Sequence, residues 1–433
     1  MSKHFRPWKI DETQLLPASV QDYVPEGHLS RFIVALVRES LDLSEIEASY
    51  AGNLGQPPFH PGLMTALLLH AYANGIYSSR RIEKAARERA DFMMIVAGDV
   101  PDFRTISDFR KRHLLALARL FVQVLKLCKA AGLVKLGHVA LDGTKIKANA
   151  SKHKAMSYER MKKREAAAAE AADAEEDKLH GARRGDELPK WVADKEKRLA
   201  KIRAAKAELE AEAKAAAEEE MRRRAEAEEK RVAEGRKKNG FAPKPPSAEP
   251  AGKAQRNFTD PESRLLLTKD GYIQGWNAQA AVDGTAQVIV AHGLTPSMSD
   301  HGQLIALIDG IEKNLGRKPK EASADSGYLS EANLAALEER GVAPYIATGR
   351  AKHPDETKRK IGGPLTQAMR RKIKRAGWRS RYRLRKQIVE PVFGQIKQAR
   401  GFRQFLLRGL EKVRAEWALI CTAHNLTKLA RAA

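Results

Sequence analysis

GHVALDGTKIKANAS, residues 137–151, passes from apolar to basic within a few positions. The run His138-Val139-Ala140-Leu141 reads as a short buried strand that delivers one carboxylate, Asp142, at its end. Gly143, Lys145 and Lys147 follow at once. A lone acid is costly to bury, so it is either exposed in a turn or paired with a cation. Asp-Gly is also a common turn dipeptide, so Asp142 by itself does not choose between the two. The flanking sequence has to.

Upstream, residues 30–130 read as all-helical. Residues 58–89 begin with prolines, break at Asn74-Gly75 and restart after Ser78-Ser79, as a helix-turn-helix or an ordinary helical hairpin would. Residues 101–133 open on Asp and Thr caps and continue as one long amphipathic helix. Downstream, 155–235 is rich in Ala, Glu, Lys and Arg, with opposite charges at helical spacing. Breaks around His180-Gly181 and Gly185 to Pro189 make it a two-helix excursion, followed by a Pro/Gly/Ser linker at 237–253. Residues 271–283 and 285–296 then read as a hairpin across Asp283-Gly284, where Asp283 is a turn residue. A helix started by a Ser/Asp cap (299–316), a strand ending in Asp325, a helix (330–340), a strand (342–347) and a last helix (409–431) complete the chain. Without the excursion the order is strand, hairpin, helix, strand, helix: an α/β core with an insertion. The expected divisions are a helical domain at 1–134, the first strand at 135–154, the insertion and linker at 155–253, and the rest of the core at 254–433.

The 433 residues carry 78 Lys and Arg against 54 Asp and Glu, a formal charge of +24. Residues 351–414 hold 20 Lys/Arg and 4 Asp/Glu, two thirds of the net excess, interleaved with Trp378, Tyr382, Phe393, Phe402 and Phe405. Such a concentration points to nucleic acid. No apolar run approaches the roughly 18 residues of a spanning helix, and MSKHFR lacks a signal peptide's apolar region. Cys128 and Cys421 sit in apolar helical contexts without metal-ligand spacing. A cytoplasmic, nucleoid-associated protein with reduced core thiols and no membrane partner is expected.

Asp142 and Asp325 each end a predicted strand, the edge at which α/β sheets bind ligands. Glu390 is the single acid of 381–402. On a helix, Tyr382, Lys386 and Glu390 share one face, with Arg383 and Lys397 two turns away, and Pro391 restarts the helix just after the acid. Glu390 could equally be salt-bridged to a neighbouring base. Three carboxylates from two strands and a helix suit two Mg²⁺ ions, with Mn²⁺ able to substitute, in an in-line phosphodiester displacement. The acids would hold the metal, and the basic residues the polyanion on which it acts.

These motifs carry a resemblance across nearly the whole chain. HPGLMTALLLHAYANGIYSSRRIE, VPDFRTISDFRKRH, LDGTKIKANASKHKAMSYERM, NFTDPESRLL, GWNAQAAVD, ADSGY and VEPVFGQIKQARGFRQFLLRGLEKVRAEWALICTAHNL together resemble a DDE-type transposase of prokaryotic insertion sequences, of the IS eleven-eighty-two group. The resemblance implies an RNase-H-like catalytic core with Asp142, Asp325 and Glu390 as catalytic metal ligands, preceded by an all-helical N-terminal domain and interrupted by the charged helical insertion. A related signature places a Tyr, two residues, an Arg, three residues, the Glu, six residues and a Lys. Lys397 fits it, whereas Lys386 stands in the Arg place, Arg383 in the Tyr place and Tyr382 one residue early.

The expected activity is metal-dependent cleavage at element ends, then attack of the freed 3′-hydroxyl on target DNA. Lys145, Lys147, Arg383, Arg385, Lys386, Lys397, Arg403 and Arg408 are the candidate contacts to double-stranded DNA, and a homodimer or higher oligomer on paired ends is expected. A nuclease of the same fold would cleave without joining. An inactive DNA-binding protein would keep the basic stripe and not need the acids. A coiled-coil scaffold would explain 155–235 alone.

Overall fold

Residues 29–130 form helices α1 (Leu29–Glu39), α2 (Ser44–Glu47), α3 (Pro61–Ala73), α4 (Ser79–Glu88), α5 (Ala90–Val96), α6 (Phe103–Arg112) and α7 (Leu114–Ala130). The structure is a computed structural model describing residues 19–50, 57–167, 190–235, 244–349 and 362–433. Pro61 stands in the first turn of α3, where its missing N–H costs nothing, and the helix stops at Asn74. Asp102 caps α6 by accepting from the backbone N–H groups of Arg104 (2.6 Å) and Thr105 (2.9 Å). The single long helix expected over 101–133 is two, α6 and α7, divided at His113. The backbone leaves helical geometry there, and the ring packs 4.7 Å from Phe109 and 5.4 Å from Tyr50.

Strand β1 (His138–Lys147) does not stop at Asp142. It continues because β5 (below) pairs with it along Val139–Lys147. The insertion follows as β2 (Ala155–Ser157), α8 (158–167), α9 (Lys190–Ala233) and β3 (Gln255–Asn257). The break expected between its helices lies outside the described residues, as does the first part of the linker. Antiparallel β2–β3 pairing closes the neck of the insertion, flanked by backbone bonds from Tyr158 to Ala254 and from Phe258 to Lys154. A small separate core of Tyr158, Met161, Ile202, Ala205 and Leu209 joins α8 to α9.

The main sheet continues with β4 (Arg264–Thr268), β5 (Gly271–Asp283), β6 (Ile289–Thr295), β7 (Glu321–Ala324) and β8 (Ala343–Ile346). Its order is β4-β5-β1-β7-β8, with β6 also pairing β5. β1, β5, β4 and β6 are antiparallel neighbours, whereas β1–β7 and β7–β8 run parallel. The expected hairpin is β5–β6, and β4 adds to it a strand that the sequence reading did not name. Asp283, expected in the turn, is instead the buried last residue of β5, paired with Val139 and accepting from the N–H groups of Leu136 (2.7 Å) and Thr285 (2.8 Å).

Helices α10 (Gln303–Leu315), α11 (Glu331–Glu339), α12 (Pro364–Ala376) and the C-terminal helix Leu410–Leu429 pack with the sheet and with α7 in one continuous apolar core. Cys128 and Cys421 are both buried in it, and burial pushes the Cys128 thiol up to about 12. The C-terminal helix also carries polar clamps. Asn425 bonds both backbone groups of Ile289 (2.9 and 2.8 Å), and the Trp417 indole donates to the Gln279 carbonyl (3.1 Å). Fully buried Glu416 accepts from the N–H groups of Leu406 (3.0 Å) and Leu407 (3.0 Å), holding the basic loop around them.

Burial pushes the Glu416 pKa up to about 7, against the pull of those N–H groups and Arg110. The folded chain therefore keeps a proton that the unfolded chain has lost. The contribution is full below the ordinary glutamate range and is lost as pH rises towards about 7. Glu416→Gln should escape this loss: its melting temperature relative to wild type should rise between about pH 5 and about pH 8, measured by thermal denaturation of both proteins.

Candidate active site

The last parallel pair between β1 and β7 is Ala140 with Ser323. Two residues beyond it stand Asp142, still within β1, and Asp325, the first residue past the end of β7. Asp142 therefore lies mid-strand, at the point where its parallel neighbour has ended. Asp325 caps the 3-10 turn Ser326–Tyr328, accepting from the Gly327 N–H at 2.8 Å.

The third acid arrives on a broken helix. A 3-10 turn (Arg381–Arg383) leads into α13 (Leu384–Ile388), which meets β1 and β7; α14 (Glu390–Gly394) and a π-helical turn (Gln395–Ala399) follow. The final helix, Leu410–Leu429, is α15. The continuous face expected for Tyr382, Lys386 and Glu390 is interrupted at Val389, because Pro391 has no N–H to extend α13. Arg385, not Lys386, is thereby turned to the acids. Its guanidinium donates to Asp142 Oδ2 at 2.6 Å and to Glu390 Oε1 at 3.1 Å, while Lys386 is exposed.

Burial pushes the Asp142 pKa up to about 6; Arg385 pulls it down, and Asp325 and Glu390 push it up again. Burial alone would lower the Arg385 pKa, but Asp142, Tyr382 and Glu390 outweigh it and hold the group charged. The three predicted acids thus share one field at one edge of β1.

The basic candidates separate into groups. Lys145, Lys147, Lys397 and Arg403 line one cleft of about 520 Å³, together with Lys152, His153 and Tyr272. Lys397 donates to Thr144 Oγ1 (3.0 Å) and to the Lys145 carbonyl (3.3 Å); burial and Arg403 lower its pKa. Arg408 donates to the Asn149 carbonyl at 2.9 Å, and Arg383 is exposed. Arg385 differs from all of these in facing inward. Of the aromatics interleaved with this charge, Phe393, Phe402 and Phe405 are core residues, and Trp378 is 72% exposed. Charge interleaving in sequence could not separate a helix's inner face from its outer one.

Four polar residues at the site escaped the sequence reading: Asn277, Gln279, Asp300 and Tyr328. Asp300 Oδ1 accepts from Asn277 Nδ2 and Gln279 Nε2, both at 2.7 Å, and the Tyr328 hydroxyl donates to Gln279 Oε1. The signal was present in GWNAQAAVD, where Asn277 and Gln279 interrupt an otherwise apolar stretch, two apart and so on one face of β5. Ser299 and Asp300 were expected to cap α10, but its cap position is Gly302 and has no side-chain bond.

Residues 259–426 match the family described as Transposase DDE domain, and residues 18–112 the one described as Transposase domain (DUF772). The chain carries a transposase DDE domain behind a second transposase domain. No curated protein and no solved structure matches it. The DDE match holds Asp325 and Glu390, while Asp142 precedes it across the insertion. The transposase core is RNase-H-like, with antiparallel β6, β5 and β1 followed by parallel β7 and β8. It is an enzyme of phosphodiester chemistry that works on DNA in transposition and recombination. Among the described residues no helix is long and apolar enough to cross a membrane.

DDE transposases generally use a divalent metal. The side chains gathered here suit a hard cation, since the donors are carboxylate and amide oxygens. Among the described residues, no three of His, Cys, Asp and Glu stand close enough to share one ion, and the Arg385 guanidinium lies between Asp142 and Glu390. Arg385→Gln should leave two crowded acids without their cation and lower metal-free stability by about 1–3 kcal/mol. Denaturant titration should show a smaller loss when Asp142→Asn is already present, since the charge to be neutralised is then gone.

Proposed function

We propose that this transposase belongs to the IS eleven-eighty-two group, cuts at the ends of its own element and joins the freed ends to target DNA. The observation carrying this reading is that Asp142 and Asp325 each stand two residues beyond the last pair of the parallel neighbours β1 and β7, with Glu390 tied to Asp142 through Arg385. Asp142, Asp325 and Glu390 would hold two Mg²⁺ ions, or Mn²⁺ in their place. When bound, these supply activation of the attacking oxygen and stabilisation of the leaving one.

The chain's own residues do the rest. Lys145, Lys147, Lys397 and Arg403 line the cleft beside the acids and hold the phosphate backbone, with Arg408, Arg383 and Lys386 extending that grip. Arg385 keeps the acids together until substrate phosphates compete for its guanidinium. Water first attacks the phosphodiester at an element end, leaving a 3′-hydroxyl and a 5′-phosphate. The hydroxyl then attacks a target phosphodiester; one P–O bond forms as another breaks, so no external energy source is needed. Helices α1–α7 recognise the element ends, and a dimer or larger assembly holds two ends together on nucleoid DNA.

The test is a Mg²⁺ or Mn²⁺ reaction on labelled element ends with supercoiled target plasmid, comparing wild type with Asp142→Asn, Asp325→Asn and Glu390→Gln. Cleavage and joining should both occur in wild type and fall by at least ~100-fold in each variant, while DNA binding in EDTA persists. Cleavage without joining would make the protein a nuclease, and full activity in any one variant would remove that acid from the site.

A further inference from the structure

Asp300 lies between β6 and α10, with its side chain 16% exposed. The Asn277 and Gln279 amides grip its Oδ1, whereas its Oδ2 faces Lys145 Nζ at 3.9 Å, beyond hydrogen-bond reach. Two glycines leave space for this carboxylate. A Cβ on Gly143, next to Asp142, would stand 2.9 Å from Asp300 Oδ1 and collide with Gln279 Nε2. A Cβ on Gly327 would stand 2.9 Å from Asp325 Oδ1 and 3.2 Å from Asp300 Oδ2, so the two carboxylates border the same side-chain-free space. Fully buried Asn277 adds an oxygen without a hydrogen-bond partner, its Oδ1, 3.0 Å from the Gly143 Cβ position. The Tyr328 hydroxyl lies within the combined field of Asp300, Asp142 and Asp325.

We propose that Asp300 is a fourth acid of the catalytic centre, a positioning residue whose Oδ2, with Asn277 Oδ1, receives the water shell of a divalent cation carried by Asp325. The inference rests on the reading of Asp142, Asp325 and Glu390 as the metal-holding acids. Magnesium and manganese keep several waters when bound by few carboxylates, and those waters need acceptors fixed in place. A residue that merely anchored the loop to β5 would need one acceptor oxygen. Among the described residues, the second oxygen of Asp300 has only the Lys145 ammonium at 3.9 Å as a counter-charge, and it borders the same space as Asp325 Oδ1.

The experiment is Mn²⁺ binding to the full chain without DNA, followed by electron paramagnetic resonance. Asp300→Asn keeps an oxygen for both amides and replaces Oδ2 with an NH₂ group; Asp300→Ser is the second variant, should the first fail to fold. Mn²⁺ affinity should fall ~10- to 100-fold, while the melting transition and DNA binding in EDTA stay at wild-type values. Wild-type Mn²⁺ affinity in the folded variant, with affinity lost in Asp325→Asn, would overturn the role of Asp300 alone. Wild-type affinity in Asp142→Asn and Asp325→Asn as well would place the metal elsewhere, and the three-acid reading would fall with it.

Discussion

The site depends on the unequal pairing of β1. One edge is bonded to β5 along nearly its whole length, whereas the other meets β7 only through His138–Ala140. Further along that second edge, Lys147 exchanges backbone bonds with Arg403 and Phe405. The interval between is a gap in the sheet, and its exposed backbone groups need partners. Lys397 supplies one at the Lys145 carbonyl, and Asp142 and Thr144 open onto the same interval. A longer β7 would fill the gap with strand; a shorter one would lose the register that brings Asp325 level with Asp142.

Charge is organised around that gap in two zones. Burial makes Asp142 hold its proton more tightly than an ordinary aspartate, Asp325 and Glu390 add to that, and a single guanidinium bonds two of the three acids. The lysines and arginines outside line a cleft in contact with solvent. An arginine suits the inner place because its planar fork can reach two carboxylates at once, which a lysine ammonium does less well. The same chain excess of positive charge therefore serves two ends: internal neutralisation at Arg385 and an outward field for a polyanion.

Much of this was legible from residue order. The strand leading to each aspartate, the β5–β6 hairpin and the insertion all follow from hydropathy and turn chemistry. The extension of β1 past Asp142 was not, because GTKIK has no apolar run; its strand geometry is imposed by β5 from more than a hundred residues away. The phase of the Glu390 helix was lost for a different reason. Periodicity assumes an unbroken helix, and here the chain passes through a 3-10 turn, a break and a π turn within twenty residues. Asp300 was assigned to a helix cap because the commonest local use of Asp fits its position, and only tertiary contact with Asn277 and Gln279 turns it inward.

The short β2–β3 ribbon has a consequence for how the chain folds. β1 and β5 are the central pair of the sheet, yet the whole insertion lies between them in sequence. Closing so long a loop is slow, because its entropy is lost before the distant strands reward it. The α8–α9 hairpin has its own small core and β2–β3 fastens its neck, so both can form from contacts internal to the insertion. Once fastened, the ends of the excursion are neighbours, and β1 meets β5 as though only a short connection separated them. The ribbon thus brings the two ends of a long excursion side by side, so the closure left to β1 and β5 is a short one.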